Sequence, residues 1–489
     1  MKKGFDNSKY IKIQSKEIKE RFKLFDKLYL EIGGKLFDDY HASRVLPGFM
    51  PDAKINMFKE LKNDLEIIFC ISANDIERNK TRAEFGITYD MEVMRLIDNL
   101  TTLGFSINSV VVTLYNHQSS VDNFIKKLER HNIKTYIHTY TKGYPSDVDT
   151  IVSEEGYGAN PYIETTKKLV LVNAPGPGSG KLATCLSQLY HEHKRGINAG
   201  YAKFETFPVW DLPLKHPVNV AYEAATADLN DINMIDSFHL EEYNATAVSY
   251  NRDLAAFPVL KAILSRITNS TVYKSPTDMG VNKISKCITN NEVINIAAKK
   301  EIVRRYYQEM VNYKMGLVDI DVPTRIKVLM NELGIDNNIL EVVNKAIDKS
   351  NKSGKHALAL KLPNNKIVTG KESELLSAPS ALIINAIKVL SKIPDDMNLL
   401  SPYILEPILK QRKTHNNSPL QLQEVIIALS ICSVTNPVVE KALSCLDKLK
   451  NCETHASYIV TNGDKKALSK LGIRLTCEAK FHSNNLFHE

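Results

Sequence analysis

Apolar and polar positions alternate along this chain with two periods, and the dominant period changes with position. Short β-branched or aromatic runs at 28–32, 65–71, 109–114, 133–139 and 168–172 read as buried strands. Between them, stretches at 16–25, 91–103 and 121–131 repeat apolar residues every three to four positions and read as amphipathic helices. Such alternation predicts a mostly parallel sheet covered by helices on both faces, an α/β domain over residues 1–235. Helical periodicity then takes over, at 254–267, 292–312 and 339–348, and predicts a helical domain over 236–350. The polar run at 348–355 has no periodicity and reads as a linker. Beyond it, apolar runs at 356–362 and 366–369 flank Pro363-Asn364-Asn365, a hairpin signal. Helices are expected at 380–390, 420–430 and 438–449, and strands at 456–461 and 473–477. These elements make a C-terminal α+β domain over 355–489.

Length and composition then exclude several classes. A chain of 489 residues exceeds what one hydrophobic core organises, and 43% hydrophobic with 24% charged residues excludes a disordered or fibrous chain. The 63 Lys and Arg against 56 Asp and Glu leave +7, spread thinly. The densest basic stretch, Arg78, Lys80 and Arg82, is broken by Glu77 and Glu84, so nucleic acid as a partner is unsupported. Seven cysteines with no CxxC pair argue against a disulfide framework or a zinc ribbon. A polar N-terminus and the lack of an apolar run of ~18 residues predict a cytoplasmic protein without a membrane span.

The sharpest chemical signal is the string from Lys168 through Asn173 into Ala174-Pro175-Gly176-Pro177-Gly178-Ser179-Gly180-Lys181. A buried strand runs into a glycine-rich turn and straight into a helix. That arrangement aims unpaired backbone N–H groups, a helix dipole and one ammonium at a common point, as a phosphate requires. Against the P-loop pattern GxxxxGK[ST], Pro175 replaces the first glycine and Leu182 the hydroxyl residue. Leu182 cannot ligate Mg²⁺, and Thr184 stands ~200° around the helix from it. Any Mg²⁺ would therefore need carboxylates from another loop. Gly178, Gly180 and Ala183 also satisfy GxGxxA, with Glu205 as the acidic residue for a ribose, which keeps NAD(P) open. A purely structural glycine turn accounts for the same residues.

His191-Glu192-His193 invites zinc, but HExxH would need histidine where Arg195 stands, and two histidines two apart diverge by ~200° on a helix. No metal site is expected, and zinc least of all. In open α/β sheets ligands gather beyond the carboxyl ends of the strands. There the sequence places Lys35, His41, Asp75, Arg78 and Lys80 beside Lys181, a cationic pocket with His41 or Asp75 as base. Capping or surface roles explain each of these singly. Trp210 lies in a segment with three prolines, and Asn219 and Glu223 share one helix face; these are candidate substrate contacts. Arg252, before a helix, is a further candidate for a phosphate.

The strings LEIGGKLFDDYHASRVLPGF from Leu30, ANDIERNKTRAEFGITYD from Ala73, APGPGSGKLATCLSQLYHEHKRG from Ala174, FETFPVWDLPLKHPVN from Phe204 and YNRDLAAFPVL from Tyr250 add a resemblance. They are similar to a bacterial family known as domain of unknown function 1846, or uncharacterised protein family 0371. NPVVEKAL and LGIRLT near the C-terminus resemble it too. The resemblance covers nearly the whole chain. It implies a cytoplasmic protein with a Rossmann-like N-terminal domain and extra C-terminal domains, and it implies no reaction.

Two functional expectations follow from the residues, beside a third, an NAD(P)-dependent oxidoreductase with Glu205 on the ribose. The first is an enzyme that binds ATP, another nucleotide or a small phosphorylated metabolite at Gly176, Gly178, Ser179, Gly180 and Lys181. It would catalyse phosphoryl or nucleotidyl transfer or ATP-dependent ligation. The second is a non-catalytic nucleotide sensor or assembly protein, for which the missing hydroxyl speaks. A homo-oligomer is compatible with either.

Overall fold

The computed structural model describes residues 2–82, 86–269, 272–411 and 418–483; Glu84 lies outside them. The chain forms two compact units, residues 1–223 with 230–298, and residues 224–229 with 299–489. The helical stretch expected as a domain of its own, 236–350, is thus shared between the two.

The first unit is built on seven parallel strands: β1 (Lys27–Ile32), β2 (Leu65–Ser72), β3 (Ser106–Thr113), β4 (Thr135–His138), β5 (Leu169–Asn173), β6 (Ala199–Phe204) and β7 (Gly280–Val281). Their spatial order is β7-β6-β1-β5-β2-β3-β4, and every neighbouring pair is parallel. The α/β class and the parallel sheet are as the alternation predicts. The central strands are apolar on both faces: every residue of β1, β2 and β5 is buried. Tyr29, Val170 and Tyr201 face Cys185, Leu189, Phe257 and Leu264 of the helices Lys181–Lys194 and Asn251–Thr268. On the opposite face the Phe58 ring of the helix Ala53–Lys59 stands 5.5 Å from that of Phe204.

The order of connections fixes where a ligand can bind. After β1 the chain leaves for β2 on one side, and after β5 it leaves for β6 on the other. β1 and β5 are neighbours, so their departing loops part and open a crevice at the carboxyl edge.

The second unit carries β8 (Ala357–Lys361), β9 (Ile367–Lys371), β10 (Glu453–Ala456) and β11 (Arg474–Cys477) in the order β9-β8-β10-β11. The expected hairpin pairs β8 with β9 antiparallel, and β10 lies antiparallel to β8 and parallel to β11. Leu358, Leu360, Leu382, Ile383, Val425 and Leu468 centre its core. The run at 348–355 is not a linker. The helix Val342–Ser353 continues through it to Gly354, which adopts a left-handed conformation, and the run is polar because only Val342, Val343 and Ala346 of that helix are buried.

Candidate functional site

The crevice has two dissimilar halves. Beyond β5, the glycine turn enters the helix Lys181–Lys194 through Gly180 at φ +82°, with Gly178 at φ +74°. Both angles favour glycine. A Cβ on Gly180 would also lie 2.7 Å from the Thr113 methyl, so β3 packs directly against the turn. Thr113 Oγ1 donates to the Ser179 carbonyl at 3.0 Å, and Ser179 Oγ donates to the Gly176 carbonyl at 2.8 Å. Ser179 therefore braces the turn. Gly180 offers no side chain to cap the helix, so the amides of its first turn receive no side-chain cap. Lys181, the first helical residue, leans inward, with Nζ 3.9 Å from Glu31 Oε1. Thr184 is fully buried and accepts from Cys70 Sγ at 3.4 Å, which puts its hydroxyl in the core.

The other half lies between β1 and β6 and is built from side chains. Glu31 and Lys203 are register partners on the two strands, on the face covered by both helices. Tyr201 Oη donates to Glu31 Oε2 at 2.8 Å. Lys203 Nζ lies 2.7 Å from Glu205 Oε1 and 3.0 Å from Asp253 Oδ2. Two carboxylates thus share one ammonium, and Glu31 stands beside it, paired with Lys181 and Tyr201. Burial pushes the Glu205 carboxyl up to about 6; Lys203 opposes the rise, whereas Asp253 and Glu31 add to it. The same carboxylates hold Lys203 well above its ordinary value despite its burial. Glu205 also fixes the loop after β1, because a Cβ on Gly33 would collide with its Cγ. Around this loop Lys54 pairs with Asp39 at 2.9 Å, both buried. Tyr222 stacks on Phe207 at 4.8 Å.

The remaining predicted residues fall into three groups. His41 is buried at the crevice wall, edge-on to Tyr222 at 5.5 Å and Phe207 at 6.0 Å, and Lys35 is half-buried on the same loop. Beyond β2, Asp75 is paired with Lys80 at 3.2 Å, and Lys80 lies 5.0 Å from the centre of the Tyr89 ring, which packs against Gly176. Lys80 is thereby brought to the rim of the turn, while Arg78 is exposed. Arg252 Nε lies 3.3 Å from Asp231 on the β6 side. Further away, Asn219 exchanges hydrogen bonds with the Val209 backbone at 2.8 and 3.2 Å, Glu223 accepts from Asn233 Nδ2 at 3.0 Å, and Trp210 donates to the Asn282 carbonyl at 2.9 Å. Their polar atoms brace the segment after β6. His191 and His193 reach the carbonyls of Asn160 and Ala199. Among the described residues no group of three His, Cys, Asp or Glu is arranged to hold a metal ion.

Glu31, Lys203 and Asp253 are not among the residues the sequence singles out. A signal existed. A charged residue one or two places before the end of an otherwise apolar strand, as in Lys27–Ile32 and Ala199–Phe204, is buried with the strand and must find partners there.

Fold and crevice together define an open, parallel α/β protein with a glycine turn at its switch point. The chain belongs to a family of unknown function: the model described as Domain of unknown function DUF1846, N-terminal, matches residues 3–334, and its C-terminal counterpart matches 338–487. It is 54% identical over 500 residues to a UPF0371 protein of Clostridium botulinum (strain Eklund 17B / Type B), with all of both chains covered. It is 53% identical to UPF0371 proteins of Fusobacterium nucleatum and Clostridioides difficile, again over the whole of each chain.

Proposed function

We propose that this protein is a cytoplasmic enzyme that binds a nucleotide or another phosphorylated small molecule with its phosphate on residues 176–181. It transfers a phosphoryl or nucleotidyl group or uses it in a ligation. The observation that carries this reading is the uncapped helix amino end behind two left-handed glycines, at the crevice where the loops of β1 and β5 part. Lys181 supplies the cation once a phosphate competes with Glu31 for it. Lys80 at the rim is a second source of charge. All seven cysteines are free, which supports a reducing compartment, and no helix of the described residues is long and apolar enough to cross a membrane.

Strand order weighs against a dinucleotide cofactor. In the GxGxxA arrangement the ribose-binding acid follows the strand next to the glycine turn, whereas here β1 lies between β5 and β6, the strand before Glu205. The non-catalytic sensor keeps one specific support, because Thr184, three residues after Lys181, is spent in the core.

The test is a thermal-shift panel of ATP, GTP, NAD, coenzyme A and sugar phosphates, with and without Mg²⁺, on the wild type and Lys181→Ala. A stabilisation of roughly 2–4 °C at saturating ligand that vanishes in the variant is expected. Stabilisation that survives Lys181→Ala would remove the turn from the site. Binding without turnover would select the sensor.

A further inference from the structure

The half of the crevice between β1 and β6 carries the wrong charge for a second phosphate. Glu205 and Asp253 outnumber Lys203, Glu31 is matched by Lys181 of the turn, Lys54 is already matched by Asp39, and Asp231 faces Arg252. Groups that donate hydrogen bonds suit this lining, and anions do not.

Two buried hydroxyls, that of Tyr250 among these carboxylates and that of Thr206 on the residue next after Glu205, are left without hydrogen-bond partners. Tyr250 Oη belongs to a side chain 1% exposed, and Thr206 Oγ1 to one 4% exposed. Tyr250 ends the short strand Val248–Tyr250 directly before the helix that carries Asp253. Its ring centre lies 6.1 Å from that of Tyr222. Burial and the neighbouring Tyr222, Glu205, Asp231 and Asp253 hold its hydroxyl neutral, able to donate and to accept. Thr206 directly follows Glu205. Buried polar atoms are nearly always satisfied, so two orphans beside an ionised cluster mark where ligand atoms or ordered water complete the network.

The distance between the halves is short. Lys181 reaches Glu31 at 3.9 Å, Glu31 is the register neighbour of Lys203, and Lys203 touches Glu205 at 2.7 Å. Resting on the phosphate reading of the turn, the geometry points to a phosphate ester of a sugar or other polyol as the ligand. Its phosphate lies on residues 176–181, and its hydroxyls reach Glu205, Tyr250 and Thr206. Glu205 accepts a hydrogen bond from one ligand hydroxyl and Tyr250 completes the contact. A carboxylated phosphate ester of the same size is repelled by the three carboxylates.

Calorimetric titration of the full chain with inorganic phosphate, ribose 5-phosphate and glucose 6-phosphate separates the parts. At least one sugar phosphate is expected to bind tenfold or more tightly than inorganic phosphate. Glu205→Gln, nearly isosteric, and Tyr250→Phe, which removes only the orphan hydroxyl, should each cost that ester fivefold or more and leave inorganic phosphate within twofold. Lys181→Ala should weaken both. Sugar phosphates binding no more tightly than phosphate, or variants that weaken both ligands equally, would overturn the assignment. If inorganic phosphate fails to bind but a sugar phosphate binds through Glu205, the turn loses its role and the polyol site stands. If neither binds, both fall.

Discussion

The two halves of the crevice are made in opposite ways. The glycine turn is backbone: eight consecutive residues set its φ angles, leave helix amides uncapped and place one lysine. The Lys203 cluster is side chains: Glu31, Lys203, Glu205, Tyr250 and Asp253 converge from segments more than 200 residues apart. The first presents an uncapped helix end and a single lysine. The second depends on a charge balance in which one ammonium answers several carboxylates, so removing a single group unsettles the rest.

That difference can be broken most forcefully at Lys203. Lys203→Met leaves the half-buried Glu205 and Asp253 without their common cation, and a loss of about 2–3 kcal/mol in denaturant unfolding is expected, less than for a fully dry pair because the group keeps some contact with water. Adding Glu205→Gln should restore part of it; strictly additive losses would show that the groups do not interact.

Next in size is Gly33→Ala. Its new methyl meets the Glu205 side chain, and a cost of about 1–3 kcal/mol follows. Glu205→Ala in the same chain should relieve it. Gly180→Ala behaves differently, since φ +82° is unfavourable whatever surrounds it and Oγ1 and Cβ of Thr113 stand 2.8 and 2.9 Å from the new methyl, so a destabilisation of at least about 1 kcal/mol should persist when Thr113 is shortened to Ser.

A smaller effect is expected with pH. The folded Glu205 carboxyl titrates near 6 against an ordinary 4.5, so between those values the folded state holds more proton than the unfolded chain. Its contribution is greatest below pH 4.5 and falls away as the pH rises through 6. Relative to Glu205→Gln, the wild type should lose about 1–2 kcal/mol across that window and stay level above it. Burial, Lys203, Asp253 and Glu31 set the value, and a pH-independent difference would show that the carboxyl titrates alike in the folded and the unfolded chain. Smallest of all, Asp75→Asn breaks a partly exposed pair with Lys80 and should move stability by no more than about 0.5 kcal/mol.

The same contrast explains what the sequence disclosed. Strands β1 to β5 were legible because they are rich in β-branched or aromatic residues, and β1, β2 and β5 are buried on both faces. β6 was not, since Ala199-Gly200-Tyr201-Ala202-Lys203-Phe204 is poor in strand formers and is held by pairing with β1. The glycine turn could be read because its signal is local. The carboxylate cluster could not, because only the strand order brings Glu31 beside Lys203, and only the helix Asn251–Thr268 brings Asp253 to Lys203. Glu205 was noticed for spacing that fits a ribose, whereas its position two strands from the turn gives it different neighbours.

The most direct measurement is the amide spectrum of the protein labelled with ¹⁵N-glycine, titrated with inorganic pyrophosphate. With 21 glycines distributed over both units, the signals of Gly176, Gly178 and Gly180 should shift progressively and saturate, those of Gly354 and Gly370 should stay in place, and Lys181→Ala should abolish the response. Shifts confined to other glycines, or none at any concentration, would contradict a phosphate site at the turn.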